Sequence, residues 1–318
     1  MNTGVKITVF AAALAAGFGT AYGVGAAIDP TAADQAPAAH AEHDRPARSG
    51  RGAHTDATPA GLQISEAGYT LDLRTPRVTA GEESELRFAV RDQDGRQVTS
   101  YRREHGKELH LVLASRDLAT YRHLHPTRAA DGTWSTPVDL PAAGTYRVFA
   151  DFTPNTEGAT DLTLGADLAV SGPYEAADLP GAAATTTVDG YTVTLKGALR
   201  PGKAGELTLD VSRDGRPVTD LEPYLGAYGH LVALRSGDLA YLHVHPNGEP
   251  GDGTTESGPG ISFTTTAPSA GVYRLFLDFK HNGTVRTAAF TVHAGTSTLD
   301  SAPEPAAGEE HGDGGHRH

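Results

Sequence analysis

The 318-residue chain contains no cysteine, and its only methionine is the first residue. Without thiolates it cannot form a disulfide, an iron–sulfur cluster, a cysteine-ligated zinc site or a blue-copper centre, and it has no thiol nucleophile. The single methionine also excludes a thioether-rich Cu(I) site. Any metal ion must therefore be bound by imidazole nitrogen and by oxygen.

Aromatic residues are scarce as well, at 7%, whereas glycine (38) and proline (20) are plentiful. This composition favours short strands joined by many turns over a helical bundle. The net charge of −13 argues against nucleic acid as a partner, because binding it needs a basic patch. We find no nucleophile elbow, phosphate loop or H-E-x-x-H helix, so we expect no enzymatic activity.

Charged residues are also missing from positions 7–27, which directly follow Lys6. A membrane-spanning helix needs about 20 apolar residues, whereas the apolar part of a signal peptide needs about 7–15. We expect residues 1–27 to form a membrane anchor, or a signal peptide if the chain is cleaved after the small residues 25–27. By the positive-inside rule, the rest of the chain lies outside the cytoplasm.

Segments poor in large apolar residues divide the remaining chain. We expect residues 28–61 and 172–187 to be linkers, and residues 295–318 to be a disordered acidic tail that contains histidines. The regions between them, 62–171 and 188–294, are copies of one another. HLVLASRDLATYRHLHP (110–126) matches HLVALRSGDLAYLHVHP (230–246) with no net gap, and both copies later carry Gly-x-Tyr-Arg. The sequence therefore predicts a duplication.

Each copy divides into about seven short, often alternating runs, separated by turn signals such as Asp-Gly and Asn-Gly. About seven strands in about 100 residues are typical of an immunoglobulin-like sandwich. We therefore expect an all-β chain with two tandem immunoglobulin-like β-sandwich domains after an N-terminal transmembrane or signal helix. The runs are 69–74, 84–91, 109–115, 120–125, 133–138, 144–152 and 162–170, then 191–196, 205–211, 229–235, 240–245, 260–265, 271–279 and 285–293.

The repeated His-x-His-Pro element ends a segment that reads as a β-hairpin. If the turn is centred between Asp117 and Leu118, His110 lies opposite His125. Side chains alternate between the faces of a strand, so His123 and His125 share one face, and His110 joins them in this register. A shift of one residue would place His110 on the opposite face. The second copy repeats this arrangement 120 residues later.

Imidazole is a common ligand of Cu(II), Zn(II) and Ni(II), and a set held on rigid strands is preorganised. Asp151 and Asp278, matched positions in the two copies, could complete the coordination shell or orient an imidazole. The sequence thus predicts a Cu(II) or Zn(II) site in each repeat. The candidate ligands are His110, His123, His125 and Asp151 in the first copy and His230, His243, His245 and Asp278 in the second.

Other readings of these residues remain open. The histidines could bond only to neighbouring loops or respond to pH, in a non-enzymatic interaction module of the cell envelope. Tyr121 and Tyr241, two residues before each His-x-His, could line a metal site or form a corner of the sandwich. Glu104, His105 and Glu108 have no counterparts in the second copy, and we expect them at the surface.

At the hairpin and the Gly-x-Tyr-Arg strand, the sequence resembles uncharacterised exported β-sandwich proteins of actinobacteria, and more distantly the YtkA/FixH-like and CopC-like extracytoplasmic modules. The resemblance covers residues 62–294, and the CopC-like likeness implies metal handling. The chain departs from the CopC pattern, because neither an amino-terminal histidine ligand nor an Asp-x-His element is evident. We expect an exported, membrane-tethered protein that binds copper or zinc and buffers it or passes it to an envelope partner.

Overall fold

The computed structural model describes residues 58–242 and 244–295, but not the side chain of His245. The expected anchor, most of the first linker, His243 and the tail lie outside the described residues. In the part that is described, every regular element is a β-strand, and no helix is long and apolar enough to cross a membrane.

The two repeats have ten strands each in the described residues. The first repeat contains β1 (Ser65–Glu66), β2 (Tyr69–Leu73), β3 (Arg77–Thr79), β4 (Ser84–Arg91), β5 (His110–Ser115), β6 (Tyr121–Leu124), β7 (Thr127–Arg128), β8 (Trp134–Val138), β9 (Gly144–Phe152) and β10 (Leu162–Ser171). The second contains β11 (Thr185–Val188), β12 (Tyr191–Gly197), β13 (Gly205–Arg213), β14 (Arg216–Pro217), β15 (Gly229–Arg235), β16 (Tyr241–Leu242), β17 (His245–Pro246), β18 (Gly260–Thr265), β19 (Gly271–His281) and β20 (Thr284–Ala294).

Each repeat is a sandwich of two sheets. In the first repeat the strand orders are β1-β2-β4-β8-β7 and β3-β10-β9-β5-β6. In the second they are β11-β12-β13-β18-β17, with β14 beside β13, and β16-β15-β19-β20. Large apolar side chains such as Phe88, Trp134 and Val148 fill the first core, and Phe263, Leu275 and Phe290 fill the second. The predicted all-β fold of two tandem immunoglobulin-like sandwiches is confirmed.

A tyrosine near the start of β9, and its counterpart in β19, fix a corner of each sandwich. Tyr146 Oη donates a hydrogen bond to the carbonyl of Ala142, and Tyr273 Oη donates one to the carbonyl of Ser269, both at 2.9 Å. A buried tyrosine that bonds to the backbone a few residues upstream is a feature of immunoglobulin-like domains. These tyrosines, and not Tyr121 or Tyr241, form that corner.

The hairpin register agrees with the prediction from the sequence. Val112 lies opposite His123 in the first repeat, and Leu234 lies opposite Tyr241 in the second. The predicted strands 120–125 and 240–245 do not continue as single strands, however. After Leu124 the chain crosses to the other sheet, where β7 pairs with β8, and β17 likewise pairs with β18. In the first repeat the crossing includes Pro126, which cannot donate a ladder hydrogen bond, whereas Pro246 lies inside β17.

The two repeats share a third apolar cluster, which lies between the sandwiches. Tyr121 of the first repeat stacks on Phe276 of the second, with ring centroids 4.1 Å apart. The equivalent pair, Phe149 and Tyr241, has centroids 5.3 Å apart. Reciprocal contacts of this kind are the mark of a twofold interface between like subunits. The repeats therefore pack face to face as an internal dimer, which the sequence did not reveal. The cluster also contains Val112, Ala114, Leu118, Val232, Leu234 and Leu239.

The ends of both expected linkers are ordered. Arg147 donates to the carbonyl of Gly61 at 2.8 Å, and the backbone N–H of Tyr241 donates to the carbonyl of Ala60 at 2.9 Å. Residues 60–61 therefore bind to both repeats. The strand β11 begins at Thr185, inside the segment expected to be the second linker.

Candidate metal centre

The amino-terminal ends of β5 and β15 lie at the interface between the repeats. His110 is the first residue of β5, and His230 is the second residue of β15. His110 pairs in register with Asp151 of β9, and His230 pairs with Asp278 of β19. The rings of His110 and His230 have centroids 6.3 Å apart. Histidines from both repeats therefore belong to one cluster.

His110, His123 and His125 lie together, as the predicted register requires. Their nearest ligand nitrogens all lie within 4.8 Å of one another. One pair of these nitrogens, His110 Nδ1 and His123 Nε2, lies 3.2 Å apart. The hairpin thus presents three imidazoles to one point.

Two rings of the cluster are hydrogen-bonded on their far sides. His110 Nε2 lies 3.3 Å from the carbonyl of Glu104, and His123 Nδ1 lies 2.9 Å from Asp278 Oδ2. Both partners only accept, so in each neutral ring the outer nitrogen carries the proton and the inner nitrogen carries a lone pair. The two inner nitrogens lie at hydrogen-bonding distance, so without a metal a proton between them links the rings, and a bound cation would take the place of that proton.

The distance between those nitrogens suits a metal ion. Two nitrogens bound at 2.0–2.1 Å to a tetrahedral ion are separated by about 3.3 Å, close to the 3.2 Å observed. The third ring offers a further ligand, since His125 Nε2 is buried and has no hydrogen-bond partner. Leaving such a group unsatisfied costs about 1–3 kcal/mol, which coordination would recover. The residues present therefore fit a divalent ion.

The protonation of the rings also suits coordination, because ligands must be deprotonated. Burial and then the neighbouring His123 lower the pKa of His110 to about 4, while Asp151 opposes the shift. Burial and the same two neighbouring rings, His123 and His110, lower the pKa of His125 to about 3. Near neutral pH both imidazoles are uncharged and available to a metal.

Asp278 acts across the boundary between the repeats. Its side chain is buried, and Oδ2 bonds to His123 of the other repeat while Oδ1 accepts a hydrogen bond from Thr287 Oγ1 at 2.5 Å. A carboxylate bonded to the outer nitrogen of a ligating histidine fixes its tautomer and raises its basicity. Asp278 thus bonds to an imidazole of the first repeat, whereas the sequence predicted it as a ligand or orienting group in the second.

The two hairpin tyrosines are buried phenols near these carboxylates. Burial raises the pKa of Tyr121 well above its usual value, and the charge of Asp278 raises it further. Tyr241 is shifted in the same direction by burial and then by Asp151. Both tyrosines pack in the interface, and Tyr241 also lines a cavity beside the histidines.

A cavity of about 50 Å³ lies beside the histidines. A single water needs about 10–15 Å³, so this space has room for an ion with water ligands. The polar residues that line it come from both repeats. They are Glu104, His105, His110, His123, Asp151 and His230.

The expectation that Glu104 and His105 lie at the surface is wrong, because both are half-buried and line this cavity. The turn of residues 104–107 folds back over the end of β5, where the carbonyl of Glu104 forms a hydrogen bond with His110 Nε2. Glu108 is also half-buried, in a two-point ion pair with Arg128. A matching turn at 224–227 caps His230, whose Nε2 lies 2.8 Å from the carbonyl of Tyr224. Gly106 and Gly226 occupy equivalent positions in the two turns, and this match in the sequence could have identified them.

Three of the predicted ligands are therefore brought together in the first repeat, and His230 lies nearby. Asp151 lines the cavity, and Thr163 Oγ1 donates a hydrogen bond to its Oδ1 at 3.2 Å. His243 and the side chain of His245 lie outside what the structure describes. The second set of three histidines stays a prediction.

The chain belongs to the family of the domain of unknown function DUF8832, whose model matches residues 64–164 and again residues 186–296. The two matches agree with the predicted duplication. Among curated proteins, none is significantly similar in sequence to this chain.

Solved structures match this chain at low similarity. The Escherichia coli adhesin FdeC is 18% identical, with a TM-score of 0.23, over 73% of this chain and 65% of that one. Salmonella alpha-2-macroglobulin (mutant Y1175G) is 13% identical, with a TM-score of 0.25, over 76% and 15%. Invasin, a bacterial integrin-binding protein, is 12% identical, with a TM-score of 0.22, over 73% and 41%. This chain spans less than two thirds of each, and scores this low do not establish a shared function.

Proposed function

We propose that this protein binds a divalent metal ion, Cu(II) or Zn(II), at the histidine cluster between its two repeats. The observation that carries the proposal is the pair His110 Nδ1 and His123 Nε2, which face each other at 3.2 Å with their outer nitrogens bonded to acceptors. The unpartnered Nε2 of His125 supports it as a third ligand.

A site with three imidazole ligands would bind a metal ion and still allow that ion to exchange. Three imidazoles leave a tetrahedral ion with one open position, and the adjoining cavity gives water or a partner's side chain access to it. Imidazole ligands suit copper and zinc, and copper binds the more tightly of the two in most sites. Buffering or delivery of the ion follows from such an arrangement.

The location of this function outside the cytoplasm is part of the proposal. It rests on the uncharged run at positions 7–27, which would tether the protein to the cell membrane or direct its export. A recipient of the ion would then be another protein of the cell envelope.

Metal analysis and thermal melting of the full chain test the metal site. At about 100 times the Kd, a ligand adds about 2.7 kcal/mol, which raises the Tm of a protein of this size by about 5–10 °C. His125→Ala should abolish most of this rise and keep the fold, since Nε2 of that ring makes no hydrogen bond. His293→Ala, a change at an exposed histidine, is the control and should leave the rise unchanged.

If neither Cu(II) nor Zn(II) raises the Tm of the full chain, the proposal fails. The alternative, an envelope interaction module with structural or pH-sensing histidines, would then account for the cluster. A rise that His125→Ala leaves intact would place the metal elsewhere in the chain.

A further inference from the structure

Two histidines of the cluster are not used by the three-histidine site. His105 and His230 line the same cavity, and their ring centroids lie 5.4 Å apart. The centroids of His110 and His123, whose nitrogens face each other, are also 5.4 Å apart. The ring centres of the second pair are therefore as far apart as those of the first, although its rings are nearly perpendicular, at 81° against 39°.

His230 is prepared for coordination in the same way as His110. Its Nε2 donates to the carbonyl of Tyr224 at 2.8 Å, so its Nδ1 carries a lone pair in the neutral ring. The ring is buried among other imidazoles and not in apolar side chains alone, since the centroids of His110 and His123 lie 6.3 and 6.0 Å away.

His105 is held over the cavity by an unusual backbone conformation. Its φ of 50° places it in the left-handed region, which residues other than glycine seldom adopt. The matching turn of the second repeat packs against it, because a Cβ added at Gly226 would lie 3.6 Å from His105 Cα. Leu225, the equivalent residue in that turn, has a φ of 52°. The two turns thus have the same backbone conformation, but only the first carries an imidazole at this position.

We propose that His105 and His230 bind a second divalent ion in this cavity, beside the ion of His110, His123 and His125. The centre is then dinuclear and built from both repeats, and this inference rests on the proposed function. Neighbouring ions in two-metal sites lie about 3.5–4 Å apart, which ring pairs separated by 6.0–6.3 Å can accommodate. Asp151, which lines the cavity, supplies negative charge to offset two dications.

Electron paramagnetic resonance of the full chain titrated with Cu(II) tests the second ion. The first equivalent should give the signal of an isolated Cu(II). As the second ion binds beside the first, magnetic coupling should broaden that signal and produce a half-field transition. Copper bound elsewhere in the chain stays isolated and adds only uncoupled signal.

His105→Leu is the decisive variant, since Leu225 shows that this turn accepts leucine at the same φ. It should abolish the coupling and keep the first signal, and His230→Ala should do the same. His293→Ala, at an exposed position, should keep the coupling.

The two proposals fail in different ways. If the first signal is unaffected by His125→Ala, the three-histidine site itself is wrong. If that signal depends on His125 but no coupling develops, or if coupling survives His105→Leu, the second ion is wrong and the first stands. Loss of the first signal in His230→Ala would make His230 a fourth ligand of a single ion, which also contradicts the dinuclear centre.

Discussion

Asp278 is the residue on which the three-histidine site depends from outside the hairpin. It belongs to the second repeat, yet it is hydrogen-bonded to Nδ1 of His123 in the first, and the residue is only 3% exposed. Removal of the second repeat would therefore take away the partner of His123 Nδ1.

We expect Asp278→Asn to weaken Cu(II) or Zn(II) binding by about 10–100-fold, the usual effect of removing a carboxylate behind a ligating histidine. An amide has nearly the same shape, so the fold should be kept. Competition titration against a chelator of known affinity measures the change. Asp94→Asn, in an exposed turn, should leave the affinity as it is. Equal affinities for both variants would contradict the role assigned to Asp278.

The metal-free protein should lose stability in mild acid. The pKa values of His110 and His230 fall from 6.5 to about 4 on folding, and that of His125 falls to about 3, with burial the largest cause in each. Between these values the unfolded chain binds more protons than the folded one. The contribution of these three histidines to the free energy of unfolding is therefore fully present above pH 6.5, and it is lost as the pH falls toward 3.

Urea unfolding of the full chain in the presence of a chelator, at a series of pH values, measures this loss. His125→Asn, which does not titrate, should show a shallower decline between pH 6.5 and 3 than the unchanged chain. If the two declines have the same slope, the burial of His125 in the folded state is not what the structure shows.

At the scale of strands, most of the fold follows from local pattern. The ranges predicted for β4 and β9 agree residue for residue with the structure, because alternating apolar residues between turn signals leave little freedom. The register of the β5–β6 hairpin was predictable because Ser115 and Thr120 close a short turn. The three-histidine face of the site followed from that register alone.

What the pattern did not show arises from contacts that are distant in sequence. Nothing near His123 indicates that its partner is Asp278, since the two are 155 residues apart. The prediction that His105 lies at the surface was wrong for the same reason. Comparing the two copies shows only that His105 is equivalent to Leu225, and not that it lines a cavity between the repeats. The sequence shows a continuous apolar stretch around Phe276, which indicates a strand buried on both faces. It does not show that the first repeat covers the second of those faces.

The tyrosine corners should contribute to stability and leave metal binding alone. Tyr146→Phe and Tyr273→Phe each remove one hydrogen bond to a backbone carbonyl, so each should lower the free energy of unfolding by about 0.5–1.5 kcal/mol. Thermal melting of the metal-free full chain measures the loss. A change in Cu(II) affinity in either variant would show that the corner and the site are coupled, which the structure does not indicate.

At the scale of the whole folded region, the two sandwiches should stay together without a covalent link. The cluster between them buries aromatic pairs from both sides, such as Tyr121 on Phe276. If a protease site is inserted after the exposed Gly181 and cut, the halves should elute together in size-exclusion chromatography.

Phe276→Ala tests the cause of that association. Removing a buried phenylalanine costs about 3–5 kcal/mol, so the cut variant should separate into two smaller species. Its metal affinity should fall as well, since Asp278 would leave His123. Separation of the cut parent protein would contradict the internal dimer.

The reciprocal pairing of Tyr121 with Phe276 and Phe149 with Tyr241 is the arrangement that a homodimer of one repeat would have. In such a homodimer every substitution appears twice, once on each side of the axis. Joining the copies in one chain removes that constraint, and the two halves can then diverge. His105 opposite Leu225 is one such divergence, on a backbone that both turns still share. A relative with a single repeat would have to pair with itself to build this centre, and its two capping turns would necessarily carry the same residue.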